Sequence, residues 1–103
     1  MRRGDVHRFR LPKGVEQHGD RLGVIVQADE LLPRSVVLVA PTSRSARPAS
    51  FRPEIDVDGT PTRVLVEQVG AVDVTRLGKV VGHATAQEMW AIDESLLVVL
   101  GLS

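Results

Sequence analysis

Thr85-Ala86-Gln87-Glu88-Met89-Trp90-Ala91-Ile92-Asp93-Glu94-Ser95-Leu96-Leu97-Val98-Val99-Leu100-Gly101 closes the chain and reads as its one clear helix. Thr85 and Glu88 have the spacing of a capping box. The threonine hydroxyl accepts from the Glu88 amide, and the Glu88 carboxylate reaches back to the Thr85 amide. Met89, Ile92, Leu96 and Val99 recur on one stripe of a 3.6-residue period, and Trp90, Leu97 and Leu100 widen it. Trp90 is expected as a core plug beneath this helix, with an anchor for a partner as the other reading. Gln87, Glu88, Asp93 and Glu94 are polar, and acids near the start complement the helix dipole. Gly101 stands where a glycine stop is expected.

Everything upstream reads as short strands. Residues 3–10 form a first strand with an imperfect alternation around Val6 and Phe9. Pro12 and Gly14 break it, and the polar, glycine-bounded residues 14–21 form a loop. Leu22-Gly23-Val24-Ile25-Val26-Gln27 and residues 35–40 are β-branched, near-continuous apolar runs, predicted as strands buried on both faces. Residues 28–34 make a connection or helical turn. Pro41 is expected to end the second of these strands, leaving residues 42–48 as a basic, hydroxyl-rich loop. Residues 51–57, between prolines, suggest an edge strand. Asp58-Gly59 is a hairpin signal. Residues 63–69 predict another strand, and residues 72–81 a turn with a short strand around 78–81. Locally connected strands followed by one helix point to a mainly β fold with a C-terminal α-helix: a small antiparallel barrel partly covered by the helix.

The 103 residues suit a single domain spanning 1–103, and 43% hydrophobic with 25% charged residues is an ordinary globular composition. Thirteen basic and thirteen acidic residues cancel, so a nucleic-acid partner has to be sought in a local patch and not in bulk charge. The chain has no cysteine, which excludes disulfides and thiolate metal sites. No apolar leader follows Met1-Arg2-Arg3, and no run reaches the roughly 20 residues of a membrane span. The cytoplasm is the expected compartment. With Phe9, Phe51 and Trp90 as the only aromatic side chains, a stacking platform for single strands is not available.

Several pieces occur together and in order. Arg3-Gly4-Asp5-Val6 opens the first strand, and Gly14, Glu16, Gln17, Gly19 and Arg21 fill the following loop. Val39-Ala40-Pro41-Thr42-Ser43 ends a later strand, followed by Val66-Glu67-Gln68, Asp73 and the closing helix. Over essentially its whole length the chain resembles the MazF/PemK/Kid family of toxin endoribonucleases. The resemblance implies a barrel of the CcdB/Kid/MazF type, a homodimer, sequence-specific and metal-independent cleavage of single-stranded RNA, and no cofactor. It also implies a MazE-like cognate antitoxin that blocks the site, with messenger RNA as substrate and transfer or ribosomal RNA as further candidates. Leu22 stands where the family commonly has proline, and Val15 where some members have histidine or serine. Leu65 and Glu67 replace the catalytic arginine and aspartate of the Kid branch, and Gly70 replaces a basic residue. The pair retained is the MazF-style Arg21 and Thr42. These departures leave open a non-catalytic relative that binds DNA gyrase or another protein target.

Metal-free RNA cleavage uses the ribose 2′-hydroxyl against its own 3′-phosphate. It needs a base, a stabiliser of the crowded phosphorus and an acid for the departing 5′-oxygen. Arg21 is the first candidate, because its planar fork of donors matches phosphate oxygens. An arginine side chain stays protonated near neutrality, so it stabilises charge and does not act as a base. Thr42 offers a hydroxyl to a developing oxyanion, or bonds local backbone as threonines near turns do. Glu16 is the candidate base, and Gln17 can read a Watson–Crick edge. His18 has the unperturbed pKa of about 6.5 that suits proton transfer near neutrality. Ser43, Arg44 and Arg47, with Arg52, form the local basic cluster that a phosphate backbone requires. Glu67 and Gln68 complete the RNA-binding candidates. The three histidines show no metal-ligand spacing.

Overall fold

Seven antiparallel strands and one helix make up the computed structural model, which describes residues 1–10 and 21–103. The strands are β1 (Asp5–Phe9), β2 (Arg21–Ile25), β3 (Val36–Ser43), β4 (Glu54–Val57), β5 (Thr60–Val64), β6 (Gly70–Asp73) and β7 (Leu77–His83). The helix α1 spans Ala86–Val99. The sheet order is β4-β5-β3-β2-β1-β7, with β6 paired to β3 off that path. β3 is the branch point. Its first half, Val36 to Val39, pairs with β6, and its last two residues, Thr42 and Ser43, pair with β5. A strand that changes partners part-way bends the sheet, and the two edges approach each other: a Cβ on Gly82 of β7 would stand 3.7 Å from Val57 of β4. The result is a curled, half-closed barrel.

Its interior is filled by Val6, Val24, Ala40, Ile55, Val57, Val64 and Val66, and α1 plugs the opening with Ile92, which is fully buried. Met89, Leu96 and Val99 pack against the same core. A second, smaller core of Ile25, Val37 and Val39 lies on the other face of the sheet, under Leu32, Val72, Val74 and Leu77. Gly23 of β2 belongs to that face and has no room for a side chain, because a Cβ there would meet Val39 Cγ1 at 2.4 Å and the Phe9 ring at 3.0 Å.

The helix cap forms as its sequence predicts. The Thr85 hydroxyl accepts from the Glu88 amide at 3.1 Å, and Glu88 Oε1 accepts from the Thr85 amide at 2.9 Å. Glu88 Oε2 also accepts from the Asp56 amide at 2.7 Å, so one carboxylate caps the helix and ties it to β4. At the other end Leu102 N–H donates to the Leu97 carbonyl and Gly101 N–H to Val98, the two bonds of a Schellman stop. The Asp58-Gly59 signal is also realised: both residues have positive φ, 52° and 81°, as a type I′ hairpin turn demands.

Other expectations are corrected. Trp90 is not a core plug but is 74% exposed. Two residues along a helix is about 200° of rotation, so a residue two before buried Ile92 faces away from the core. Leu97, Val98 and Leu100 are exposed beside it. The strand expected to stop at Pro41 runs on to Ser43. Pro41 has no amide to donate, but its carbonyl accepts from Leu65 N–H at 2.8 Å as β3 passes from one partner to the other. The same strand is covered on one face only, with Val36 and Leu38 47% and 44% exposed, as antiparallel sheets permit. The strand expected over residues 63–69 is instead β5, ending at Val64, followed by a 3₁₀ turn over Val66–Gln68.

The Arg-Gly-Asp-Val opening is a clasp. The Arg3 guanidinium donates to Asp93 of α1 at 2.6 Å and to the Val26 carbonyl at 2.8 Å. Asp5, buried, bonds His83 Nδ1 at 2.8 Å and accepts from the Arg2 amide at 2.9 Å. Burial works to raise the Asp5 carboxyl, but the bonds to His83 and Arg2 with their charges outweigh it and hold it below its ordinary 3.8. A carboxyl depressed in the folded state stabilises above its unfolded pKa, and that contribution is lost as pH falls through the folded value. Asp5→Asn is therefore less stable than the parent at pH 7, and the difference between them narrows in acid unfolding below pH 3.8. A gap that stays constant down to pH 2 (about two units below that value) would exclude this account.

Candidate active site

The head of β2, which carries Arg21, lies beside the end of β3, which carries Thr42, because the two strands are neighbours in the sheet, and strand alternation puts the two side chains on opposite faces. Gly23 pairs with Pro41, which sets Leu22 opposite Thr42. Thr42 is buried, and its hydroxyl donates to the Leu22 carbonyl at 3.2 Å. Arg21, half-buried, is the first residue of β2 and pairs with Phe9 of β1. The hydroxyl proton of Thr42 is thus spent on backbone. Its geometric effect is to hold the head of β2, and Arg21 with it, against the end of β3.

Ser43, half-buried, is the next residue and pairs with Arg63 of β5. Strand alternation puts Ser43 and Arg63 on the face opposite Thr42 and Val64. Arg63 is not marked out by its sequence, where it is one arginine at the head of the apolar run Val64-Leu65-Val66. The only available signal was that a charged side chain at every second position of a half-buried strand must face outward.

The 3₁₀ turn Val66–Gln68 hangs below Pro41 through the Leu65 amide, and Leu65 itself is buried, as a leucine in that place can be. Glu67 receives two bonds on one oxygen, Oε2, from Arg52 Nη2 at 2.5 Å and Nε at 2.8 Å. Arg52 also donates to the Arg47 carbonyl at 3.1 Å and lies 5.8 Å from the Phe51 ring centre. Both side chains of the pair are about one-quarter exposed. Arg52 is therefore a brace between the 47–52 segment and the Glu67 turn and is not a ready phosphate ligand. Glu67 Oε1 is buried and has no partner among the described residues. Arg44, Arg47 and Gln68 are exposed beside this brace.

Glu16, Gln17 and His18 lie outside the described residues. The other two histidines have other employment, His7 on the Gly78 carbonyl and His83 on Asp5. Among the described residues no three His, Cys, Asp or Glu side chains group to hold a metal ion, and no helix is long and apolar enough to cross a membrane.

Residues 2–100 match the family described as PemK-like, MazF-like toxin of type II toxin-antitoxin system. A Mycobacterium tuberculosis protein named "Putative toxin Rv3098A" is 38% identical over 104 residues, covering 97% of each chain. Among solved structures the chain is similar to a mycobacterial endoribonuclease in complex with its cognate antitoxin, with a TM-score of 0.83 and 20% identity over 100% of this chain and 97% of that one. The Mycobacterium tuberculosis toxin MazF-mt6 superposes with a TM-score of 0.81 at 19% identity, covering 96% and 98% of the two chains. MazF from Deinococcus radiodurans gives 0.82 at 18% identity, covering 98% and 96%. At these identities the solved structures establish the mainly β fold with its terminal helix.

Proposed function

Because the chain belongs to the PemK-like, MazF-like toxins of type II toxin–antitoxin systems, we propose that it is an endoribonuclease cutting single-stranded RNA at specific sequences without metal or cofactor. The observation that supports this reading is that Arg21 heads β2 beside the end of β3 that carries Thr42. The 2′-oxygen gives its proton to a base and bonds to phosphorus. The bond from phosphorus to the 5′-oxygen breaks, and that oxygen takes up a proton. The products are a 2′,3′-cyclic phosphate and a 5′-hydroxyl. Arg21 binds the non-bridging phosphate oxygens and stabilises them as charge builds up. Thr42 positions Arg21 through Leu22. Glu16 is the proposed base, and Gln17, His18, Ser43, Arg44, Arg47 and Gln68 hold the strand. Glu67 serves through Arg52.

The working form is a homodimer in the cytoplasm, held inactive by a MazE-like antitoxin lying over the site. A mycobacterial structural neighbour is an endoribonuclease in complex with its cognate antitoxin, which supports that part of the reading. Incubating the protein with a long RNA in the presence of a chelator and mapping new 5′-hydroxyl ends tests the proposal. The expected result is a short shared sequence at every cut. Intact RNA together with inhibited DNA gyrase would replace this reading with the non-catalytic one.

A further inference from the structure

β1 and β7 do not pair residue for residue. His7 faces Val80 and Phe9 faces Leu77, so the single residue Arg8 stands opposite two, Gly78 and Lys79. Such a β-bulge at a barrel rim bends the strand and re-aims a side chain. Buried His7 pins it, its Nδ1–H donating to the Gly78 carbonyl at 3.0 Å. The strands touch there, since a Cβ on Gly78 would lie 3.5 Å from Arg8 Cβ. Arg8 and Lys79 are both exposed. Just beyond them the Arg76 guanidinium bonds the Arg10 carbonyl, Nε at 2.9 Å, so two more basic residues share the same strand ends. Among the described residues none of these four makes an ion pair within 4.0 Å. In a chain of zero net charge, this is a concentration of cations built by a specific backbone irregularity.

The patch adjoins the candidate site at the strand ends, where Arg8 pairs with Leu22 and the next residue, Phe9, pairs with Arg21 on the opposite face. Arg8 pairs with Leu22, whose carbonyl takes the Thr42 hydroxyl, so Arg8, Leu22 and Thr42 form one row across three strands. At sheet spacing, Arg8 is about 10 Å from Thr42 along that row. We infer that the bulged β1–β7 edge is a track for the sugar–phosphate backbone of single-stranded RNA, with Arg8 and Lys79 taking phosphates next to the one that Arg21 holds. This rests on the RNA-cutting reading above. It adds residues that bind without regard to base, since phosphate contacts carry no sequence information.

The test is the salt dependence of binding a fluorescent single-stranded RNA whose 2′-hydroxyls are methylated, so that it cannot be cut. Each phosphate contact to a single strand contributes about 0.7 to the slope of log affinity against log salt. The double variant Arg8→Gln, Lys79→Gln lowers the slope by about 1.4 and weakens binding equally for RNAs of different sequence. Arg34→Gln, at the far end of β3, removes one exposed charge and keeps the parent slope. An unchanged slope in the double variant, or an equal fall in Arg34→Gln, overturns the track while leaving cleavage by the parent intact. Loss of binding to an acidic polypeptide with no change in the RNA slope overturns it too. A parent that neither binds nor cuts RNA at any salt overturns the RNA-cutting reading itself.

Discussion

Arg21→Ala lowers the rate of RNA cleavage by about 10²–10³-fold, the usual cost of removing one preorganised donor to a developing oxyanion. Arg21→Lys recovers only part of it, because a lysine keeps the charge but offers a point where the guanidinium offers a planar fork. Arg21 is half-buried at the first position of β2, and the strand it begins is held by Val24, Ile25 and the Thr42–Leu22 bond. Its loss therefore leaves the thermal midpoint nearly unchanged. Measured rates and melting curves on the same preparations separate the two effects. Full cleavage by a folded Arg21→Ala protein would remove Arg21 from the site.

Ile92→Ala lowers stability by about 3 kcal/mol, through the lost transfer energy of its methyl groups and the cavity left behind. For a domain of this size that corresponds to a fall in midpoint of about 12–20 °C. Ile92 is fully buried and belongs to the same core cluster as Val6, Val24 and Val66, so little can collapse into its place. Ile92→Val, which removes one methylene, costs about 1 kcal/mol. A graded loss across the two variants in thermal or denaturant unfolding is the expected pattern. Equal, small losses would show that α1 is not what closes the barrel.

The helix, its capping box, its glycine stop and the Asp58-Gly59 hairpin were legible in the chain because each rests on interactions within a few residues. The apolar runs around Val24 and Val37 likewise announced strands. Where the reading of the chain failed, a long-range partner decided. Pro41 is a strand-breaker by local chemistry, but at that residue β3 changes neighbours, and the Leu65 amide takes up its carbonyl. Trp90 is the largest apolar residue of its helix, and only the docking of Ile92 shows that it faces outward.

The same division runs through the site. Composition, order of motifs and hydrophobic period were enough for a mainly β chain with one terminal helix, and the ordered motifs that carry the resemblance to the MazF/PemK/Kid family nominated Arg21 and Thr42. Those are properties of residue type and spacing, which the linear chain carries in full. The tertiary structure alone decided that the Thr42 hydroxyl belongs to the Leu22 carbonyl, that Arg52 is spent on Glu67, and that Arg8 faces the Gly78–Lys79 bulge. Each of those pairings joins residues 15 to 71 positions apart. Which partner a side chain meets at that distance is set by strand register, and register is fixed only when the whole core packs.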